Sequence, residues 1–467
     1  MSLHSKEMAL AVMLSAFAPP ILGATSPLID YIGQARQTYA AVIGMQTSVG
    51  LGQVPKLADY LAAKFRAGGF AGTDITIVPL GETASLVVRY RGSGKRQKPI
   101  LLNAHMDVVT ANRSDWERDP FTLIEENGNF YARGTWDDKL DITTLTTTFL
   151  RLKAEGFVPK RDLIIAFTGD EETTQNTATD LVKNHRDLID AEFCLSGDIG
   201  QGVLDEESGK ALYYQVSGAE KTPVTFELSV RNPGGHSSKP RADNAIYQLA
   251  DALKAVQAHP FPVMWNDWTV QGFEQQGRGV GGDIGDAMLR FAHDPGNKSA
   301  VQTLSASPEN VGQLRTTCVA TRIAGGHADN ALPQLATASI NCRIFPGVSA
   351  QTVRDTLQEV VGQGVSVKMT ETPIESPASP MRSDLMNAFA KAVHATHPGI
   401  PLVPHMEVGG SDGAIFRANG IPTYGAQGLF IKLSEDFEHG LNERVPVSAL
   451  SYGLLHWYTL LTTLGTR

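Results

Sequence analysis

Apolar and polar positions along the chain follow two alternating periods. From about residue 25 to 217, helical and extended patterns succeed one another. "VPKLADYLAAKFRAGGF" places its apolar residues at helical spacing and stops at Gly68-Gly69. "DITIVPL", "SLVVRY" and "ILLNAHMDVV" are short apolar runs rich in Val, Ile and Leu, which predict strands. After "GTWDDK", Ile142, Leu145, Phe149 and Leu152 share one helix face. "DLIIAFTG" predicts another strand and "TATDLVKNHRDLI" the helix after it. Such alternation predicts a largely parallel sheet covered by helices.

From about 219 the order changes. "VTFELSV" predicts a strand, and "NAIYQLADALKAV" a helix with Ile246, Leu249, Leu253 and Val256 on one face. "TTCVATRIAG" and "TASINCRIF" predict strands, "SAQTVRDTLQEVVG" a helix, and "VSVKMTE" a strand. The order β-α-β-β-α-β is the ferredoxin-like pattern, interrupted by an insert at about 260–312. "ETPIESPASP" reads as a returning linker. Helix, strand and helix patterns then run to the C-terminus. The simplest account is one α/β domain in two parts, 25–217 and 372–467, with an α+β domain inserted at 218–371.

Composition narrows the function. A chain of 467 residues exceeds one ordinary core, consistent with two domains. Net charge is −9 with no long basic run, which argues against a nucleic-acid partner and suits a site for cations. Cys194, Cys318 and Cys342 are too few and too scattered for a disulfide framework, so a metal here would rest on His and carboxylates. Lys6 precedes the apolar run 9–18, and Leu22-Gly23-Ala24 offers a cleavage site. Residues 1–24 therefore read as a signal peptide, giving a periplasmic or secreted protein. The alternative is an amphipathic N-terminal helix on a cytoplasmic protein. No other stretch predicts a membrane span.

Acids and histidines cluster at predicted strand ends: "NAHMD" (His105, Asp107), "GTWDDK" (Asp137, Asp138), "GDEET" (Asp170, Glu171, Glu172) and "SGDIG" (Asp198). His439 stands in "FEHGLNE". Ligands of open α/β sheets bind outside the carboxyl ends of the strands. Carboxylates gathered there repel one another, and no basic residues are interleaved, so divalent cations are the expected counter-charge. Two histidines and three carboxylates suffice for two ions that share one carboxylate. This donor set suits zinc, or cobalt or manganese in its place, and such pairs activate water. His105 would point off a strand tip as a ligand. Asp107, two residues on and on the same side, would accept its other ring N–H.

"HMDVV…W…DPF", "YARGTWDDK", "GDEET", "GDIG", "NPGGHSSKP", "GGSDGAIF" and "EHGLNE" occur in one order. In this the chain resembles the zinc-dependent exopeptidases and deacylases, a family that includes glutamate carboxypeptidase, carnosinase-like dipeptidases, carboxypeptidase S, aminoacylases and succinyl-diaminopimelate desuccinylase. The resemblance runs from about residue 40 to the end. It implies a phosphorylase/hydrolase-like catalytic domain with a mixed, helix-covered sheet, and a ferredoxin-like lid that also dimerises. It implies that Asp137 bridges two metals across a cis bond to Asp138. His105 and Asp198 would complete one metal, Glu172 and His439 the other. Glu171 would be the general base, and Asp107 is counted with the catalytic residues for its hold on His105. His236 would donate to the carbonyl oxygen, reaching the site by closure or from a homodimer partner. Asn330, Arg343, Gly410 and Ser411 would contact substrate, and Arg343 would hold its carboxylate. This chain departs from relatives in reading Asn341-Cys342-Arg343 where Asp-x-Arg is frequent, and in carrying His327 where small residues are usual. The expected substrate is a small peptide cut by a carboxypeptidase or dipeptidase, with N-acyl amino acids as the alternative. The insert resembles the larger lid of the carboxypeptidase S type. Trp265 and Trp268 within it are expected in lid core, with a hydrophobic substrate pocket as the alternative.

Two rivals stand beside this reading. "GGSDG" fits the nucleophile elbow G-x-S-x-G, with Asp436 and His439 following Ser411 in the right order. Only 56 residues follow Ser411, too few for the rest of that fold, and the acidic strand ends stay unexplained. A metal- or ligand-binding module without catalysis is the other rival; the presence of Glu171 argues against it.

Overall fold

The computed structural model describes residues 27–94 and 96–466. The expected signal peptide, 1–24, lies outside them.

A six-stranded sheet forms the centre, in the order Ile75–Leu80, Thr83–Tyr90, Leu163–Thr168, Ile100–His105, Phe193–Ser196, Thr423–Gly425. The last four are mutually parallel, and the first two form an antiparallel hairpin at one edge. Leu80 pairs with Thr83 across a two-residue turn whose first residue, Gly81, has φ 61°. That left-handed backbone is what a tight hairpin turn demands. All six residues of Ile100–His105 are buried, because helices cover both faces. On one face Leu102 and Ile165 meet Leu61 and Phe65 of helix Val54–Ala67 and Leu145 and Phe149 of helix Lys139–Ala154. On the other, Leu101 and Ile164 meet Leu181 of helix Asn176–Asn184 and Phe416 of helix Gly413–Ala418. Alternation along each strand thus builds two cores.

The C-terminal part carries more strands than its pattern predicts. Phe430–Lys432 and Leu402–Glu407 flank Gly202–Leu204 and Ala211–Glu220 in a second four-stranded sheet. Arg444–Pro446 pairs with Asn129–Tyr131. Strands of three residues are too short to show a period.

A separate antiparallel sheet has the order Thr317–Gly325, Leu335–Ile344, Thr222–Arg231, Ser366–Met369. Helices Ala245–Ala258 and Ala350–Val361 close its core over Phe226, Leu228, Ile340 and Leu357. This is the ferredoxin-like arrangement expected from the sequence.

The insert folds as helices Asp267–Val280, Gly282–His293, Lys298–Ser305 and Pro308–Val311 around Phe273, Met288, Phe291 and Leu304. It packs on the larger domain. Gly272 lies against the Pro404 carbonyl, where a Cβ would come to 2.4 Å. Trp268 is neither lid core nor pocket lining, because it sits in the main core beside Tyr424 and donates to the Ser379 carbonyl at 2.8 Å. Trp265 is 51% exposed. The cysteines are also less scattered than their spacing suggests. Cys318 and Cys342 face each other on paired strands and form a disulfide, while Cys194 is buried and free.

Candidate metal centre

The parallel strands end together, and the acidic segments follow those ends. His105 is the last residue of its strand; Asp198 and Glu171 follow two others. Asp137 precedes helix Lys139–Ala154, joined to Asp138 by a cis peptide bond.

Two ligand-like triads result: His105, Asp137 and Asp198; and Asp137, Glu172 and His439. Asp137 belongs to both. Its Oδ1 lies 2.6 Å from His105 Nε2 and its Oδ2 2.8 Å from His439 Nε2. Asp198 Oδ1 is 3.7 Å from His105 Nε2, and Glu172 Oε2 is 2.9 Å from His439 Nε2. His105 and Asp137 are buried, while His439 is half exposed. Each triad thus offers one imidazole nitrogen, one terminal carboxylate and one oxygen of a shared carboxylate. One oxygen of Glu172 is buried without a protein partner. That composition fits two cations bridged by Asp137.

The electrostatics agree. Burial, and then the Asp137 charge, pushes Glu172 up to about 7. Burial, and then Asp198, raises Glu171 well above the carboxylate range. Hydrogen bonds to Asp137 and Glu172 push His439 up to about 11. Without cations, this cluster holds protons in their place.

Asp107 supports the cluster from behind. Its carboxylate accepts the backbone N–H groups of Glu171 and Glu172, each at 3.1 Å, and its Oδ1 lies 3.4 Å from His105 Nδ1. That ring nitrogen also faces the Asp107 carbonyl at 3.1 Å, which leaves Nε2 for the cluster. Glu171 Oε1 accepts from Gln175 at 2.7 Å.

Other expected site residues lie apart. Gly235–His236 pairs with Ala331–Leu332, which brings His236 beside Asn330 on the smaller domain, both exposed. The Ser238 N–H donates to His236 Nδ1 at 3.1 Å, so the neutral ring carries its proton on Nε2. The described contacts of the His236 ring are all with Ser238. Arg343 is nearer: its guanidinium, half-buried and without a described acidic partner, donates to the Val408 carbonyl at 3.4 Å. Gly410, two residues on, lines a cavity of about 240 Å³ with Asp198, Trp136 and Glu438.

Ser411 is not a nucleophile. It is 1% exposed, and its hydroxyl donates to Glu220 Oε1 at 2.9 Å. Glu220 is itself paired with buried Arg417, and the His439 ring faces Asp137 and Glu172. The serine therefore has no base.

Sequence reasoning passed over Arg133 and Glu443. They form a fully buried ion pair, and Glu443 also accepts the N–H groups of Gly134 (3.1 Å), Trp136 (2.8 Å) and Asp137 (3.3 Å). Both stand inside the motifs "YARGTWDDK" and "EHGLNE", which was the available signal.

Comparison with known proteins places this geometry. A family model described as "Peptidase family M20/M25/M40" matches residues 101–463. The chain is 28% identical over 372 residues to the N-fatty-acyl-amino acid synthase/hydrolase PM20D1 of Xenopus tropicalis, covering 78% of this chain and 72% of that one. It is 28% identical over 342 residues to the probable carboxypeptidase S-like 2 of Dictyostelium discoideum, covering 70% and 64%. Its fold is similar to the M20 family metallo-carboxypeptidase Sso-CP2 of Sulfolobus solfataricus, with TM-score 0.68 and 16% identity over 92% of this chain and 99% of that one.

Proposed function

The chain belongs to peptidase family M20/M25/M40, metallohydrolases of the exopeptidase type, and from that premise we propose that it cleaves an amide bond whose leaving amino acid carries a free carboxylate. The observation that carries the reading is the pair of triads sharing Asp137, with Glu171 one residue before a member of the second.

His105, Asp137 and Asp198 would hold one cation, and Asp137, Glu172 and His439 the other, with zinc the best match to the donors. When bound, the paired cations supply Lewis acidity that activates water and polarises the carbonyl. Glu171 takes a proton from the attacking water at its carboxylate and returns it to the leaving nitrogen. Asp107 fixes that loop and the His105 ring. His236 donates its Nε2–H to the carbonyl oxygen as charge develops there. Arg343 holds the substrate carboxylate at the 408–410 loop, and Asn330 assists from the smaller domain.

Among the described contacts the His236 ring meets only Ser238, which supports its delivery by lid closure or from the second chain of a homodimer. The uncovered edge strand Thr317–Gly325 supports the dimer, exposing Val319 and Ile323. Sedimentation at working concentration checks it; a monomer with full activity would leave closure alone. The Cys318–Cys342 disulfide supports a periplasmic or secreted location. An intact mass matching loss of residues 1–24 checks that.

A carboxypeptidase or dipeptidase activity is the first choice. Hydrolysis of N-acyl amino acids is the second, favoured by the likeness to the N-fatty-acyl-amino acid hydrolase. The test is amino-acid release from dipeptides and from N-acyl amino acids, with chelator and then with zinc restored. Chelator-sensitive release is expected, and the preferred series ranks the two. Release that ignores the chelator sinks the metal mechanism; silence on both series sinks the substrate class.

A further inference from the structure

Arg133 and Glu443 are 3% and 0% exposed and stand 310 residues apart in the chain. Each holds one of the loops that carry the second triad. Glu443 gathers the amides of Gly134, Trp136 and Asp137, the backbone that presents the Asp137 carboxylate. Arg133 donates through Nη2 to the carbonyls of His439 (3.2 Å) and Gly440 (3.1 Å), the backbone that presents the His439 ring. Those bonds hold an unfavourable conformation: His439 has φ 58° and Asn442 has φ 55°, in the left-handed region that residues other than glycine disfavour. A loop bent this way stays bent only while its surroundings hold it.

The first triad is built differently. His105 closes a buried strand, and its N–H donates to Asp138 Oδ2 at 3.1 Å. Asp198 follows the strand Phe193–Ser196, and the Gly197 N–H between them donates to the Asn103 carbonyl at 2.8 Å. The central sheet fixes these residues without Arg133 or Glu443.

We infer that the Arg133–Glu443 pair is a positioning device for the metal ligands, in which Arg133 sets the His439 side alone and Glu443, through the backbone of the shared Asp137, sets both ion positions. The inference rests on the dinuclear reading above. Groups behind a metal ligand typically change affinity by about 10- to 100-fold when removed. Neither residue touches substrate in this account, so the effect reaches turnover only through the metal.

The experiment titrates zinc into chelator-stripped protein by calorimetry and counts bound ions. It compares wild type, Glu443→Gln, Arg133→Lys, His439→Ala and the double variant Arg133→Lys/His439→Ala. Arg133→Lys keeps a cation opposite Glu443 but cannot fork to both carbonyls, so it covers the case in which Glu443→Gln fails to fold. Wild type is expected to bind two ions. Arg133→Lys should keep the tighter one within about threefold and weaken the other by about 10- to 100-fold, whereas Glu443→Gln should weaken both. Adding Arg133→Lys to His439→Ala should change nothing further, which a general loss of structure would not reproduce. Two ions bound at wild-type affinity in both Glu443→Gln and Arg133→Lys would overturn the inference while sparing the dinuclear reading. Equal weakening of both ions in Arg133→Lys, or further loss in the double variant, would overturn it too. Wild type that holds one ion at most would remove the dinuclear reading itself.

Discussion

Replacing Asp107 by Asn changes one atom of a carboxylate that does two things. Its two oxygens accept the amides of Glu171 and Glu172 at 3.1 Å each, and Oδ1 lies 3.4 Å from His105 Nδ1. A carboxamide of the same shape has one acceptor oxygen. The other amide then meets an NH₂ group, at a position 4% exposed where water does not replace the lost acceptor. Losing a charge-assisted bond and leaving its buried donor unpaired costs about 1.5–3 kcal/mol. If that cost falls on the orientation of the Glu171 loop, turnover drops by about 10- to 100-fold, at 1.36 kcal/mol per factor of ten. Metal content should hold, because His105 Nδ1 keeps the Asp107 main-chain carbonyl at 3.1 Å as its partner. The assay is kcat on the substrate found in the release panel, with zinc counted by mass spectrometry on the same sample. Turnover within threefold of wild type with two zinc ions bound would refute the argument. So would loss of zinc with kcat per bound metal unchanged, since Asp107 would then serve the ligand and not the base.

Glu171→Gln should bind both metals with wild-type stoichiometry and lose nearly all turnover; loss of metal along with activity would contradict its role as base. Acidity gives an independent check. In chelated protein, burial holds Asp141 at about 7 and Asp412 at about 8, and bonds to Asp137 and Glu172 hold His439 at about 11. All three bind protons more tightly folded than unfolded, so stability falls as pH rises, from about 4 to 8 for the acids and about 6.5 to 11 for the histidine. Asp137 and His456 shift the other way, with windows below the ordinary carboxylate range and below about 6.5. Burial holds Lys139 and Lys221 down to about 7, which adds stability as pH rises above that. The melting temperature of chelated protein should therefore fall between pH 5.5 and 7, and added zinc should restore more of it at pH 7. A chelated protein more stable at pH 7 than at pH 5.5 would contradict the cluster's electrostatics.

The metal ligands were legible because they are anomalies. A buried strand such as Ile100–His105 has no packing reason to end in His-Met-Asp, and acids gathered at several strand ends call for a cation. The ferredoxin-like order was legible because strands of nine or ten residues, with alternating burial on two of them, leave a period to read. What stayed hidden depends on partners far along the chain. The pattern of helix Asp267–Val280 shows an apolar face but not what meets it, so Trp268 reads as lid core, whereas the fold sets it beside Gly218 and Tyr424 in the larger domain. Cys318 and Cys342 become a disulfide only through the register that sets them opposite each other.

Arg133 and Glu443 show the same limit at the site itself. In the sequence each is one charged residue among many, in loops where charge is ordinary. Burial changes their meaning, because two ions withdrawn from water are retained only where they satisfy other groups as well. Here those groups are amides and carbonyls of two loops that carry Asp137 and His439. Sequence could name the atoms that would touch the metal, since their chemistry is specific to metals. It could not name the residues that aim them, since aiming is done by hydrogen bonds any loop can make. Of the two triads, the one built on strand ends is therefore the more predictable, and the one built on loops is where a distant substitution would alter metal binding first.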